Sequence, residues 1–193
     1  MFHGYGSDEE DLFSFADDLP DQLCIISVRA PHTLQPFGYA WYTINFEASY
    51  GKWSDVEQGR KSRDLILKFI DEACEAYRLD TENISLLGFS QGTVLCYAIA
   101  LSHPKRFRNV IALSGYIDEQ ILVENYREKD HSSLKVYASH GQMDMVIPPE
   151  WAQKAPAFMD GLGIEYLYEE FPVGHGVSPG NFKSFLKWLK GRL

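Results

Sequence analysis

The sequence predicts an α/β fold: a mostly parallel sheet with helices on both faces. Three observations carry that reading. Strand patterns alternate with helical ones along the chain, the order of a parallel sheet covered on both sides. Residues 84–87 read as a short buried strand that turns at once into an apolar helix. No repeat, linker or low-complexity tract interrupts the 193 residues, so residues 1–193 read as one domain.

Each element has a local reason. Residues 8–19 read as a helix opened by a capping box of Ser7 and Glu10, with acids in the first turn complementing the dipole. Residues 22–28 read as a strand. Residues 29–52 form a long irregular excursion rich in Pro, Gly and aromatics, and loops of that length are more often functional. Residues 55–77 read as a helix, with Ile66, Phe69, Ile70, Ala73, Cys74 and Tyr77 on one face. The strand at 84–87 and the helix at 93–101 come next, then strands at 109–114 and 135–139. A helix at 149–162 and a strand at 164–171 follow. The last helix, 180–193, carries a stripe of Phe182, Phe185, Leu186 and Leu189.

Gly88-Phe89-Ser90-Gln91-Gly92 joins the strand at 84–87 to the helix after it. Small residues flanking a serine in such a turn let strand and helix pack closely while Oγ stays exposed. Acyl-transfer chemistry then needs an acid and a histidine, in that order, further along the chain. Asp144 lies just past the strand at 135–139, and His175 lies in the loop after the strand at 164–171. Both fall beyond C-terminal strand ends, where open α/β sheets place their sites. His32, His103 and His131 have no partner pattern and read as surface or turn residues. His3 reads as ordering its loop rather than doing chemistry.

Four spaced motifs together resemble the phospholipase/carboxylesterase family, which includes the acyl-protein thioesterases. They are His3-Gly4-Tyr5-Gly6, the Ser90 motif, Gly141-Gln142-Met143-Asp144-Met145-Val146-Ile147-Pro148 and Gly174-His175-Gly176-Val177-Ser178-Pro179. The resemblance implies an α/β-hydrolase fold with Ser90 as nucleophile, His175 as base and Asp144 orienting it. It implies an oxyanion hole made by the backbone N–H groups of Tyr5 and Gln91. Trp41 matches a family segment bordering the acyl pocket, although Thr43 stands where the family usually carries Asp. Met143 and Val177, flanking the acid and the base, would line the same wall.

The resemblance also implies a buried strand before the His3 loop, where this sequence has only Met1 and Phe2. The sequence expectation is therefore an N-terminally truncated sheet, with a central gap between 22–28 and the strand before Ser90. Such a gap would leave backbone groups unpaired and unmoor the loop carrying Tyr5.

The net charge of −9 disfavours nucleic acid and anionic membranes. No stretch approaches the 18 apolar residues of a membrane span, and no signal-peptide pattern opens the sequence. Cys24, Cys74 and Cys96 read as reduced core thiols of a cytoplasmic protein. No Cys/His pair has ligand spacing, so neither a metal nor another cofactor is expected. The expected partner is a small-molecule ester or thioester, and the sequence leaves room for a homodimer. The function read here is a serine carboxylesterase hydrolysing small-to-medium acyl esters or thioesters through an acyl-enzyme. The alternatives are a lactone or peptide hydrolase, or a non-catalytic ligand-binding homologue.

Overall fold

The computed structural model describes residues 1–45 and 53–193; residues 46–52, within the predicted excursion, lie outside the described residues. Helix α1 (Glu9–Phe13) is capped by Asp8, whose carboxylate accepts the Glu10 N–H at 3.0 Å. The cap is therefore Asp8 rather than Ser7, and the helix stops well short of residue 19. Leu12 is its one buried residue, so little packing holds further turns, and a 3₁₀ turn (Ala16–Asp18) follows.

Within the excursion lie two short antiparallel pairs. Strand β1 (His32–Thr33) pairs with β2 (Tyr39–Ala40), and β3 (Ile44–Asn45) pairs with β4 (Trp53–Ser54). Helix α2 (Val56–Tyr77) starts at Asp55, whose side chain accepts the Gln58 N–H at 2.9 Å. Its buried face contains Ile66, Leu67, Ile70 and Ala73; Tyr77, expected on that face, is 68 % exposed.

The main sheet is parallel, in the order β5 (Ser85–Phe89), β6 (Asn109–Leu113), β7 (Lys135–Gly141), β8 (Glu165–Phe171). Helix α3 (Gln91–Ser102) follows β5 and is buried along its whole length. The predicted helix at 149–162 is two, α4 (Pro149–Ala152) and α5 (Ala155–Leu162). Pro156 explains the break, because its ring supplies no N–H to continue the ladder to the Ala152 carbonyl and is tolerated only in a first helical turn. Helix α6 (Pro179–Lys190) closes the chain, capped by Ser178.

Alternate strand residues sort into two cores, as a period of two requires. Leu86, Val110 and Val136 pack with Ile66 and Ile70 of α2, with α3, and with Met159 of α5. Leu87, Ile111 and Tyr137 pack against Phe185, Trp188 and Leu189 of α6 and Leu12 of α1. The sheet is thus covered on both faces.

At the β5 edge the expected gap between residues 22–28 and β5 is present below Met1 and Phe2, but the His3 loop is not unmoored. Phe2 lies between Val28 and Gly88, bridged in parallel to both. Its N–H donates to the Leu87 carbonyl at 2.9 Å, its carbonyl accepts from Phe89 N–H at 3.1 Å, and Val28 N–H donates to the Met1 carbonyl at 3.1 Å. Two residues therefore moor the His3 loop. Residues 22–28, expected as a strand, make only the Val28 bridge, because Met1 and Phe2 offer no further rungs. Cys24, in that segment, is exposed rather than a core thiol.

Helix α3 presses on this short strand through Gly92, where a Cβ would overlap the Phe2 carbonyl. Backbone cannot step aside as a flexible side chain would. Gly92→Ala is expected to cost about 1–3 kcal/mol, read as a fall of several degrees in Tm.

Candidate active site

Ser90 stands at the turn between β5 and α3 with φ 54° and ψ −116°. A non-glycine residue there stores about 1–3 kcal/mol and persists only where its surroundings over-determine it. They do. Ser90 N–H donates to the Leu113 carbonyl at 2.9 Å. Thr93 Oγ1 lies 2.7 Å from both the Gly88 and Leu113 carbonyls and accepts the Leu113 N–H at 3.0 Å. The strained turn is thereby stapled to the next strand.

His175, after β8, places Nε2 2.9 Å from Ser90 Oγ and Nδ1 2.7 Å from Asp144 Oδ2. Its ring leans on Phe89, with centroids 4.9 Å apart. Asp144, just past β7, is 3 % exposed. Its Oδ1 accepts the Val146 and Ile147 N–H groups at 2.8 and 2.9 Å. Burial alone would raise its pKa, but the bonds from His175, Ile147 and Val146 outweigh that and hold the carboxyl below its ordinary value. The loops carrying acid and base are tied together, since Gln142 N–H donates to the Phe171 carbonyl and Met143 N–H to that of Val173.

His140 went unremarked in the sequence. It is fully buried, with Nε2 2.9 Å from the Ile147 carbonyl and 3.2 Å from Asp144 Oδ2. A carbonyl only accepts, so Nε2 carries the proton and points it at both oxygens. His140 thus supports the acid from behind, while its Nδ1 has no partner among the described residues. A histidine ending a buried strand four residues before the acid was the available signal.

The loop bearing Tyr5 lies directly against the serine. A Cβ built at Gly4 would stand 3.2 Å from the Phe89 ring and 3.3 Å from Ser90 Cβ, tighter than ordinary packing, so glycine eases the close approach of the loop. His3 beneath it is 1 % exposed; Nε2 accepts the Ala30 N–H at 3.1 Å, and Nδ1 donates to the Gly4 carbonyl at 2.7 Å. Trp41, 1 % exposed, packs below this loop and donates Nε1–H to the His3 carbonyl at 2.9 Å. The Gln91 side chain, also missed, clasps the same segment: Oε1 accepts Trp41 N–H at 2.8 Å and Nε2 donates to the Tyr42 carbonyl at 2.7 Å. Ser62 Oγ donates to the Trp41 carbonyl. The turn at Ser90 and the Tyr5 loop are therefore one hydrogen-bonded unit, with the Gln91 N–H at the open N-terminus of α3.

Met143 is 59 % exposed, with exposed Met145 and Val146 beside it, while Val177 is half-buried against the α6 side of the core. His131, read as a surface residue, is buried, with Nδ1 2.9 Å from the Lys129 carbonyl and Nε2 3.1 Å from that of Leu101. Among the described residues no group of three His, Cys, Asp or Glu could hold a metal ion.

Burial holds the His3 pKa below 6.5, against the opposing pull of the Gly4 bond and of Asp8, Asp11 and Glu9. The sign follows from proton counting. Below pH about 6.5 the unfolded chain binds a proton at His3 that the folded chain refuses. Stability from this group is full above that pH and declines as pH falls toward the depressed folded value. The Tm of His3→Gln is expected to fall less than that of the parent between neutral and mildly acidic pH.

Parallel sheet, helices on both faces, strained serine turn and acid and histidine loops at the strand ends together define an α/β-hydrolase fold. A carboxylesterase from Bacillus cereus superposes with TM-score 0.84 at 16 % identity, covering 100 % of this chain and 86 % of that one. The esterase PE8 gives 0.79 at 25 % identity, covering 100 % and 90 %. The family model described as phospholipase/carboxylesterase matches residues 1–192, and the chain belongs to that family.

Acyl-protein thioesterase 1 of Eremothecium gossypii is 31 % identical over 208 residues, covering 100 % of this chain and 86 % of its own length. A probable carboxylesterase, SOBER1-like, of Arabidopsis thaliana is 29 % identical over 165 residues, covering 78 % of this chain and 63 % of its own length. The match thus spans less than two thirds of that plant relative. Among the described residues no helix is long and apolar enough to cross a membrane.

Proposed function

We propose that the protein is a serine hydrolase acting on small-to-medium acyl esters or thioesters, with residues 1–193 as one catalytic domain. The observation that carries this reading is the unbroken relay from Ser90 Oγ through His175 to Asp144, at 2.9 and 2.7 Å. A serine hydroxyl is a weak nucleophile until an imidazole takes its proton during attack. In this reading Ser90 Oγ bonds to the acyl carbon as His175 Nε2 takes the proton. The carbonyl oxygen becomes negative and is held by the N–H groups of Gln91 and Tyr5, each worth about 3–4 kcal/mol to such a transition state. Collapse breaks the bond to the alcohol or thiol, which leaves with the proton from His175. Water, deprotonated by the same ring, then attacks the acyl-enzyme and releases the carboxylic acid and Ser90. Asp144 holds the Nδ1–H tautomer and stabilises the imidazolium. Exposed Met143, Met145 and Val146 beside the acid favour an apolar acyl group.

The test is a fluorophosphonate mixed with the purified protein and read by intact mass. One adduct per chain, located on the peptide holding Ser90, supports the reading. No adduct, or an adduct elsewhere, overturns it.

A further inference from the structure

His175 lies in the loop between β8 and α6, and the two limbs of that loop are held in different ways. On the near limb, the Phe171 and Val173 carbonyls accept the Gln142 and Met143 N–H groups at 2.8 and 3.0 Å. Gly141 packs there backbone to backbone, since a Cβ on it would overlap the Gly174 carbonyl. The far limb has no such stitching. Among the described residues, the one backbone hydrogen bond of residues 174–178 runs into α6 itself, from Phe182 N–H to the Ser178 carbonyl.

Asn181, in the first turn of α6, ties that limb down through its side chain. It is 3 % exposed, so its amide must find partners inside the protein. Its backbone N–H donates to Ser178 Oγ at 3.2 Å, which closes the far limb onto the helix. Its Nδ2 reaches across to β7, donating to Tyr137 Oη at 3.0 Å and to Ser139 Oγ at 2.9 Å. Ser139 Oγ donates back to Oδ1 at 3.2 Å. Tyr137 gives its own proton to Glu169 Oε2 of β8 at 2.8 Å, and Ser184 of α6 donates to the same oxygen. Burial raises the pKa of the Tyr137 phenol, which therefore keeps that proton and can only accept from Asn181. The orientation of the amide is thus fixed by its partners.

The cluster spans both catalytic loops. Glu169 and Asn181 stand six residues before and six after His175, and Ser139 stands five before Asp144. His175 has to keep Nε2 at 2.9 Å from Ser90 Oγ and Nδ1 at 2.7 Å from Asp144 together. A misplacement of about 1 Å in such a geometry can cost about 100-fold in rate.

We propose that Asn181 is a positioning residue for hydrolysis at Ser90: its side-chain amide clamps the far limb of the His175 loop to β7 and so keeps the imidazole on both Asp144 and Ser90. Its kinetic consequence rests on the proposed serine hydrolysis, whereas the state of the imidazole is observable without turnover.

The test uses Asn181→Leu, which is close in size and makes none of these side-chain bonds, and Ser139→Ala, which removes one hydroxyl of the clamp. The second variant decides the matter if the first does not fold. With kcat counted per serine that reacts with fluorophosphonate, it should fall about tenfold in Asn181→Leu and about threefold in Ser139→Ala, with KM moving by less than about twofold. The imidazole ¹⁵N shifts of His175 should report the Nδ1–H tautomer in the parent and a mixture with the Nε2–H tautomer in the variants. A lower Tm with parental ¹⁵N shifts would make Asn181 a packing residue and overturn the proposal, whatever the rates. A parent that does not hydrolyse esters would sink the reading of Ser90, and the ¹⁵N shifts would still decide for or against Asn181.

Discussion

Ser90→Ala is expected to lower kcat toward an aryl ester by about 10⁶-fold while Tm moves by no more than about 2 °C. The two halves have separate causes. The hydroxyl is the only atom of Ser90 in the relay, 2.9 Å from His175 Nε2, so its loss removes the nucleophile itself. The fold loses little, because the backbone bonds that hold the turn come from the Ser90 N–H, Thr93 and Leu113. Alanine at φ 54° is no more strained than serine, so the stored strain cancels in the comparison. Parallel ester-hydrolysis and thermal-unfolding measurements check both halves. Retained hydrolysis would take Ser90 out of the mechanism.

Asp144→Asn is expected to lower kcat by about 10⁴-fold, and here stability should fall too. Oδ1 already accepts two backbone N–H groups, from Val146 and Ile147. An asparagine keeps its oxygen there, which turns its NH₂ toward His175 Nδ1. That nitrogen must then accept, the proton moves to Nε2, and Nε2 can no longer take the proton of Ser90. The same NH₂ would confront the Nε2–H of His140, 3.2 Å from the present Oδ2. Two facing donors in a buried site cost about 1–3 kcal/mol. Steady-state kinetics with urea unfolding should therefore show both losses. A variant that loses rate without stability would mean that His140 does not bear on the acid.

Much of this arrangement was legible from residue order. The patterns at 84–87, 109–114 and 164–171 became β5, β6 and β8 within two residues at each end, because buried β5 and β6 write their burial as apolar runs and the partly exposed β8 shows the alternation of a strand. Elements held by few contacts were read less well. The helix expected at 8–19 became one turn and a half around Leu12, and the strand expected at 22–28 became a single bridge. Propensity is local, whereas a strand exists only where a partner lies beside it. Nothing in residues 22–28 announces that the neighbouring strand is two residues long.

The sequence by itself determined the α/β class, the order Ser90, Asp144, His175 and the placing of each beyond a strand end, since periodicity and turn chemistry are properties of neighbouring residues. Only the tertiary structure decided what surrounds them. His140 behind Asp144, the Gln91 side chain joining the serine turn to Trp41, and Phe2 seated between Val28 and Gly88 bring together residues as much as 86 positions apart. Their hydrogen bonds exist because the chain has collapsed and water has left these groups to one another.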